Sequence, residues 1–151
     1  HSKTIEYQQQ IIKSEAVSLH IRRGDYVTDT HTNSVHGTCD VRYYKKAVME
    51  VLKSKKQAHF FIFSDDLDWA ESNLNFINNK TFIRLESDIP DHEEMYLMSQ
   101  CKYNIIANSS FSWWGAWLNQ NSDKKVIAPK KWFNGSVLNP KDLIPNSWVR
   151  L

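Results

Sequence analysis

The sequence contains little glycine, proline or cysteine. Its 151 residues include four glycines, four prolines and two cysteines. It has no Gly-x-Gly-x-x-Gly run and no Walker-type loop, which excludes the usual glycine-rich phosphate-binding loops. The cysteines, Cys39 and Cys101, are too few for the disulfide framework of a small secreted domain. We interpret them as reduced thiols in a cytosolic protein.

Long apolar runs and an excess of charge are missing too. No apolar run approaches the roughly 20 residues that a membrane-spanning helix needs. The net charge of +2 and the lack of a basic block argue against a nucleic-acid partner. No cysteine–histidine spacing of the kind that binds zinc occurs. We therefore expect a cytoplasmic protein, with peripheral attachment to a membrane as the alternative.

What the chain does contain is typical of one globular domain. Hydrophobic residues make up 41% and charged residues 24% of the sequence, and both values are ordinary for a chain that buries a core. The six tryptophans are less ordinary, because most of them lie in the second half of the chain. We interpret them mainly as a large aromatic core.

Apolar segments of strand length alternate with segments of helical spacing. The strands are predicted at 16–21, 59–63, 81–85, 103–107 and 125–128. The helices are predicted at 40–54, 67–76, 91–101 and 108–119. This alternation predicts an α/β fold with a doubly wound, Rossmann-like parallel sheet. We expect residues 15–151 to form this domain and the polar residues 1–14 to be a linker or the remnant of a helix.

Three polar segments follow three of the predicted strands. They begin at Arg22, Ser64 and Asn108. The carboxyl ends of parallel strands lie along one edge of a sheet, and ligands bind beyond that edge. We therefore expect the three segments to meet in one binding site.

The first segment, Arg22-Arg23-Gly24-Asp25, leaves a buried strand with two guanidinium groups. Arginine binds phosphate oxygens in a bidentate manner, and such cations stabilise a departing diphosphate. Gly24 allows a tight turn or a close approach of the backbone to a ligand. An arginine–aspartate salt bridge at the protein surface explains the same residues equally well.

The second segment, Ser64-Asp65-Asp66-Leu67-Asp68, carries three carboxylates. Carboxylates at a strand end accept hydrogen bonds from a guanine edge or from ribose hydroxyls, or bind a divalent cation. The pair Asp66 and Asp68 resembles the metal-binding Asp-x-Asp of GT-A glycosyltransferases, so a metal-dependent site stays open. Capping of the next helix by Ser64 or Asp65 explains the segment at least as well.

The third segment, Asn108-Ser109-Ser110-Phe111, opens a predicted helix that contains Trp113. Free amides and hydroxyls at a helix start bind anions, so this segment is expected to face the same phosphates as the arginines. Trp113 is a candidate wall for a sugar or a base. A plain helix cap explains the polar residues without a ligand, and we expect Trp114 and Trp117 to be buried.

Two histidines, His31 and His36, lie in the polar stretch 28–38, which we predict to be a loop. A loop histidine near a strand end is a candidate general base at neutral pH. A solvated histidine without a chemical role is the more frequent case.

Three stretches of the sequence together resemble the alpha-1,2-fucosyltransferases of glycosyltransferase family 11. They are HIRRGDYV at 20–27, FSDD at 63–66, and 98–118 with IIANSSFSWW at its centre. His36, Gly37, Cys39 and the pair Tyr43-Tyr44 also match the family's usual run. The resemblance covers about residues 16–135, and the last long stretch is its most specific part.

The resemblance implies a GDP-fucose site in the C-terminal, donor-binding half of a GT-B-like enzyme. Arg22 and Arg23 would hold the diphosphate, while His20 and Glu94 would lie near guanine. Related GDP-fucose enzymes invert the anomeric carbon and need no metal. The resemblance therefore implies no cofactor other than the donor substrate itself.

The same resemblance implies roles for the two remaining polar segments. Asp65 or Asp66 would meet the nucleoside. Ser109, Ser110 and Phe111 would line the phosphates and the fucose.

The implied reaction is transfer of fucose to the 2-hydroxyl of galactose in a glycan acceptor. Asp25 and His36 are candidates for the base, and a residue outside this chain is an equal candidate. The family's N-terminal acceptor-binding region is absent from this sequence, so we expect the chain to bind GDP without transferring fucose by itself. The alternatives are an inactive GDP-sugar-binding module, a metal-dependent transferase using Asp66 and Asp68, and a purely structural domain.

Overall fold

In the computed structural model, which describes residues 1–135 and 137–151, strands and helices alternate as predicted. The strands are β1 (Ala16–Ile21), β2 (His59–Ser64), β3 (Lys80–Phe82), β4 (Tyr103–Ile105), β5 (Lys125–Ala128) and β6 (Val149–Arg150). The helices are α1 (Ser2–Ile12), α2 (Gly24–Thr28), α3 (Thr30–His36), α4 (Val41–Ser54), α5 (Leu67–Asn73), α6 (Asp91–Gln100) and α7 (Ser110–Trp117).

The strands form one sheet in the order β3-β2-β1-β4-β5-β6, and every pairing in it is parallel. This is the strand order of the Rossmann fold. In the centre of the sheet, Ser18 of β1 lies opposite Phe61 of β2 and Asn104 of β4. All six residues of β1 are buried because helices cover both faces of the sheet. The predicted fold class is confirmed.

The core lies on both faces of this sheet. On one face, Val17 and Leu19 of β1 belong to a buried cluster with Tyr44 and Val48 of α4. The other face packs against α1 and α6, with Leu97 of α6 in a second cluster. Alternate residues of β1 therefore face opposite layers of the domain.

Three parts of the chain are either left open by the sequence or differ from the sequence-based expectation. Residues 1–14, for which the sequence leaves a linker or the remnant of a helix open, contain α1, which packs on α6 and buries Tyr7 and Ile11. The predicted loop 28–38 contains α3 and the end of α2, which are held mainly by local hydrogen bonds. Strand β6 is too short for a recognisable apolar pattern, and it exists because Val149 pairs with Ile127.

Cys39 and Cys101 are both buried and unbridged in the structure. Among the described residues, no helix combines the length and the apolar character that crossing a bilayer requires.

Candidate functional site

Arg22 lies at the carboxyl end of β1, between the ends of β2 and β4. Its Nη2 donates to Asp25 Oδ1 at 2.6 Å, and its Nη1 lies 3.1 Å from Asp65 Oδ2. Its guanidinium also lies 5.2 Å from the centroid of the Tyr26 ring. The side chain keeps 34% of its surface exposed. Arg22 is therefore oriented by protein carboxylates and still accessible to a ligand.

Arg23 is held more firmly than Arg22. Its Nε donates to Asp66 Oδ2 at 3.2 Å, and its backbone amide donates to Asp65 Oδ1 at 2.9 Å. Its guanidinium lies 4.3 Å from the Trp69 ring centroid, and only 18% of the side chain is exposed. At Gly24, a Cβ atom would lie 2.5 Å from Asp65 Oδ2. Through Arg23 and Gly24, the segment after β1 thus packs closely against the segment after β2.

Helix α5 is capped by Asp66, and the predicted cap at Ser64 or Asp65 is wrong. Asp66 Oδ1 accepts from the Trp69 amide at 3.1 Å, whereas Ser64 Oγ accepts from the Asp66 amide at 2.9 Å. Asp68 is exposed in the first turn of α5. Within residues 1–135 and 137–151, no group of three or more His, Cys, Asp or Glu is arranged to hold a metal ion.

A cavity of about 320 Å³ lies beside the ends of β2 and β3. Its polar lining residues are Ser64, Arg84, Glu86, Ser87, Asp91 and Glu94. We call this cavity the acidic pocket. Burial, aided by the negative charges of Asp91 and Asp65, raises the pKa of Glu94 to about 7. A carboxyl group that titrates near neutrality in a cavity is typical of a functional site.

His20 lies on β1 and is 5% exposed. Its ring centroid is 5.8 Å from that of Phe111. Burial, and to a smaller extent the charge of Arg22, lowers the pKa of His20 to about 3. The ring is therefore neutral at physiological pH. Its Nδ1 has no hydrogen-bond partner among the described residues, so it is a polar atom that a ligand can satisfy.

Asn108 serves mainly to hold the segments after β1, β4 and β5 together. Its Nδ2 donates to the carbonyl groups of His36, Gly37 and Trp132 at 2.9–3.1 Å. Its own carbonyl accepts from the Tyr26 hydroxyl at 3.2 Å. Because its amide nitrogen makes three contacts with protein, Asn108 positions the site and has little capacity left for a ligand.

Helix α7 begins at Ser110, two residues later than predicted. Ser109 is its cap, with Oγ accepting from the Phe111 amide at 3.3 Å. Ser110 is exposed at the rim of the sheet. A helix start is thus present in the predicted segment, and its accessible hydroxyl is that of Ser110.

A second cavity, of about 430 Å³, lies between the segments that follow β1, β4 and β5. Its lining residues are Tyr26, His36, Asn108, Ser110, Trp113, Trp114, Trp132, Phe133 and Leu143. We call this cavity the aromatic pocket. The rings of Tyr26 and His36 stack with centroids 4.9 Å apart and an interplanar angle of 13°. The Trp113 indole N–H donates to the Leu143 carbonyl at 2.8 Å.

Trp114 and Trp117 are not buried, contrary to the prediction. They are 48% and 50% exposed. The inner face of α7 consists of the small residues Ser112, Gly115 and Ala116, which allow close packing. At Gly115, a Cβ would lie 2.9 Å from the Met98 Cβ, so a larger inner face would not fit. The large rings therefore lie on the outer side of the helix.

The two candidate bases lie in helices. Asp25 is in α2 and is paired with Arg22, whereas His36 ends α3 and lines the aromatic pocket. His31 is exposed on α3. The Nδ1 of His36 is buried without a partner among the described residues. The structure thus places Asp25 and His36 on the same side of the sheet rim, near the exit of β1.

Sequence analysis does not identify Tyr26, Trp69, Trp132 or Phe133 as site residues. Tyr26 directly follows the arginine segment, so its position in the sequence indicates that it belongs to the site. Trp69 likewise follows the second polar segment directly, whereas Trp132 and Phe133 reach the site only because distant segments of the chain fold together.

A parallel sheet of this order, with arginines and a capped helix start at its strand ends, defines a Rossmann-like domain of the kind found in GT-B-like glycosyltransferases. The sequence profile described as Glycosyl transferase family 11 matches residues 3–151. Because this match spans nearly the whole chain, the chain belongs to glycosyltransferase family 11.

Two curated relatives come from Escherichia coli. O-antigen biosynthesis glycosyltransferase WbnK is 42% identical over 140 residues, which are 91% of this chain and 45% of WbnK. An alpha-1,2-colitosyltransferase is 41% identical over 139 residues, which are 91% of this chain and 48% of that protein. The chain therefore spans about half the length of these relatives.

The fold is also similar to that of a solved structure, the fucosyltransferase NodZ from Bradyrhizobium. The superposition has a TM-score of 0.53 at 14% identity and covers 78% of this chain and 40% of NodZ. A structure of NodZ alpha-1,6-fucosyltransferase soaked with GDP-fucose gives the same TM-score at 15% identity, with the same coverage of both chains. At this identity the likeness concerns the fold.

Proposed function

We propose that the chain is the donor-binding part of an enzyme that transfers fucose from GDP-fucose to the 2-hydroxyl of a galactose in a glycan acceptor. We further propose that the reaction inverts the anomeric carbon and needs no metal ion. The observation that carries the proposal is the position of Arg22, which is accessible at the rim between the acidic pocket and the start of α7. Family membership and the names of the curated relatives support it.

The diphosphate is assigned to Arg22 and the start of α7. Arg22 presents a planar guanidinium that already pairs with two carboxylates, and phosphate oxygens suit the same donors. The exposed start of α7 at Ser110 adds the positive end of the helix dipole. Together these groups stabilise the charge that grows on the leaving diphosphate. Arg23, which is bound to Asp66 and Trp69, supports this arrangement from behind.

Guanine is assigned to the acidic pocket. The carboxylate of Glu94 can accept from both the N1–H and the 2-amino group of guanine, and neither uracil nor adenine presents this pair of donors. His20, near the carboxyl end of β1, supplies a neutral ring whose Nδ1 has no partner among the described residues. Asp65 is bonded to Arg22 and to the Arg23 amide, and it thereby fixes the positions of both arginines relative to the nucleoside.

The chemical step is a direct displacement. The acceptor hydroxyl oxygen forms a bond to the anomeric carbon of fucose, and the bond from that carbon to the β-phosphate oxygen breaks as GDP leaves. The hydroxyl proton passes to a base. Asp25, His36 or a residue outside this chain fills that role, and the two residues named here lie beside Arg22 and in the aromatic pocket, respectively.

The metal-dependent alternative has less support. A metal bound by Asp66 and Asp68 would have to compete for Asp66, whose Oδ1 caps α5 and whose Oδ2 accepts from Arg23. The binding-module alternative differs from the enzyme only in turnover. Measuring fucose transfer to lactose separately from GDP binding distinguishes the two.

Calorimetry with GDP, UDP and ADP, each in the presence of a chelator, tests the proposed function. We expect GDP to bind best and added magnesium to change its affinity little. Arg22→Ala should weaken GDP binding by about 10- to 100-fold, because a hydrogen bond to a charged group contributes roughly 1.5–3 kcal/mol. Arg42→Ala is the control, since the Arg42 side chain is 88% exposed, pairs with Asp40 and lines neither the acidic pocket nor the aromatic pocket. Equal affinity for UDP would disprove the guanine assignment, and strict magnesium dependence would disprove the metal-free site.

A further inference from the structure

Positive charge is concentrated at the edge of the sheet where the strands begin, opposite the rim that carries the proposed site. Eight lysines lie there, in the turns that precede the strands, in the last turn of α4 and at the first residues of β3 and β5. They are Lys13, Lys53, Lys55, Lys56, Lys80, Lys102, Lys124 and Lys125. We call this surface the basic edge. Its carboxylates are Glu15, Glu50 and Asp123, so eight lysines against three carboxylates give a net charge of +5.

The carboxylates of the basic edge are shared between lysines. Glu50 lies 2.7 Å from the Nζ of Lys53 and 2.9 Å from the Nζ of Lys125. Glu15 is shared in the same way by two further lysines of the edge. Each of these carboxylates neutralises one of its two partners, so an excess of positive charge remains at the surface.

Three lysines of the basic edge extend into solvent. Lys13, Lys53 and Lys56 are exposed, and neither Lys13 nor Lys56 has an ion-pair partner within the part of the chain that the structure describes. Lys124, by contrast, serves the fold, because its Nζ donates to three carbonyl groups at the end of α7. The exposed lysines are therefore the ones available to a partner.

Exposed apolar side chains lie beside these lysines. Ile12 ends α1 and is 64% exposed, and Leu118 directly follows α7 and is 46% exposed. A cavity of about 340 Å³ is lined by Ile12, Lys102 and Gln120, so the ends of α1 and α7 both border the basic edge. The surface thus combines positive charge with accessible apolar groups.

The rim at the opposite end of the strands is acidic. The segments that lead from β1, β2 and β3 to the next long helices contain eleven carboxylates, within residues 25–40, 65–68 and 86–94. The cations of the rim are Arg22, Arg23, Arg42, Arg84, Lys130 and Lys131. Eleven carboxylates against six cations give a net charge of −5. A domain with opposite charges at its two ends is oriented by a charged surface.

We propose that the basic edge binds a lipid bilayer with anionic headgroups and holds the rim, with Arg22 and both pockets, away from the bilayer. The lysines extend from β3 to β5, which at the usual strand spacing is roughly 19 Å, so they can meet several headgroups of a flat anionic surface. Ile12 and Leu118 can enter the boundary between headgroups and acyl chains, and lysine stems pack along it. This inference does not depend on the proposed function.

A nucleic acid fits the basic edge less well. Its cations are lysines, whereas arginine is the residue of choice for recognising nucleic-acid phosphates. The exposed Ile12 and Leu118 would also gain little beside a phosphate backbone, while a bilayer removes them from water. Charge and apolar exposure together therefore favour the bilayer.

Sedimentation with vesicles tests the proposal. The chain is mixed with vesicles made of an equal mixture of phosphatidylglycerol and phosphatidylcholine, or of phosphatidylcholine alone. We expect binding to the anionic vesicles only. About 1 M salt should release most of the bound chain, because the Debye length is then roughly 3 Å.

The variant Lys13→Gln/Lys53→Gln/Lys56→Gln removes three exposed charges from the basic edge. It should weaken binding to the anionic vesicles about 10- to 100-fold, because each lysine near an anionic surface contributes about fivefold. Since the three side chains are exposed, the fold should be preserved, and thermal melting checks this.

The matched control is Arg42→Gln/Lys130→Gln/Lys131→Gln. It removes the same charge from three exposed residues that line one cavity at the rim. It should bind the anionic vesicles as the wild type does, because these residues face away from the bilayer. Equal losses in the two triple variants would show that net charge alone drives binding, and would overturn the proposal.

A second pair of variants tests the apolar contribution. Ile12→Gln should weaken vesicle binding about threefold to tenfold, because it removes an apolar side chain from the bilayer boundary. Ile5→Gln is its control, since Ile5 lies in the first turn of the same helix and is 53% exposed. It should have no effect, and an equal loss in both variants would contradict the proposed orientation.

The remaining outcomes also overturn the proposal. One is the absence of binding to anionic vesicles. Another is tighter binding to duplex DNA than to vesicles, lost in the triple lysine variant, which would assign the basic edge to nucleic acid. A third is self-association without vesicle binding, abolished by the same variant, which would mean that the edge contacts the acidic rim of a second copy. None of these results depends on GDP binding, so the proposed function can fail or hold separately.

Discussion

The two pockets at the rim of the sheet have opposite chemistry although they lie at one edge of one sheet. The acidic pocket is lined by charged side chains, and its Glu94 has a pKa raised to about 7. The aromatic pocket is lined mainly by rings, and the amide nitrogen of its Asn108 is occupied by protein carbonyls. The first pocket can distinguish ligands by hydrogen bonds, and the second by desolvation and shape.

Because of this difference, one site at the ends of the strands can recognise the parts of a composite ligand separately. Arg22 and Arg23 lie between the pockets, after the central strand β1. A change in one pocket should therefore alter the recognition of one part of the ligand and leave the other part unaffected.

The largest expected effect is on base recognition. Glu94→Gln should weaken GDP binding by about 10- to 100-fold, because a carboxylate that accepts from two guanine donors is replaced by an amide with one acceptor. Calorimetry with GDP measures this loss.

Glu86→Gln is the control for Glu94→Gln, because Glu86 lines the same pocket and is exposed. An equal loss of GDP affinity in this variant would mean that the pocket acts through its overall charge. The assignment of guanine to Glu94 would then fail.

The next effect concerns the backbone beside the aromatic pocket. Gly37 has φ 63° and ψ −178°, a region that is essentially confined to glycine. Gly37→Ala should lower the free energy of unfolding by roughly 1–3 kcal/mol, measured by urea denaturation. The added Cβ would also lie 2.5 Å from Asn134. Gly135→Ala should be nearly neutral, since its Cβ would meet nothing closer than 3.9 Å. Equal effects in the two variants would contradict this account.

The last expected effect is a pH dependence of stability that arises in the acidic pocket. The pKa of Glu94 is raised in the folded state to about 7 from a usual 4.5, so its contribution to stability is complete below about pH 4.5 and lost as the pH rises through 7. Glu94→Gln removes this loss. The stability of the variant relative to the wild type should therefore increase from pH 5 to 7, by up to about 1.4 kcal/mol per pH unit, and then level off.

Denaturant unfolding of both proteins at each pH measures this difference. The subtraction also cancels the opposite contribution of His20, whose lowered pKa of about 3 makes folding more favourable as the pH rises towards 6.5. A difference that does not change with pH would show that Glu94 ionises normally in the folded chain.

The sequence by itself determined the α/β alternation, the parallel sheet and the meeting of three polar segments at one rim. These features follow from local patterns: apolar runs of strand length, helical spacing, and polar residues where a buried strand must end. Glu94 was expected near guanine only through the family resemblance, and the structure places it in a cavity beside Ser64. Its role there stays a prediction.

Only the tertiary structure decided which side chains form the aromatic pocket. Tyr26, Trp114 and Phe133 are far apart in the sequence, and they meet because β1, β4 and β5 end at the same edge. The exposure of Trp114 likewise depends on the small inner face of α7, which packs closely on Met98. Periodicity reports which residues share one face of an element. Which face is covered depends on the neighbouring elements, and their positions are set by packing over the whole domain.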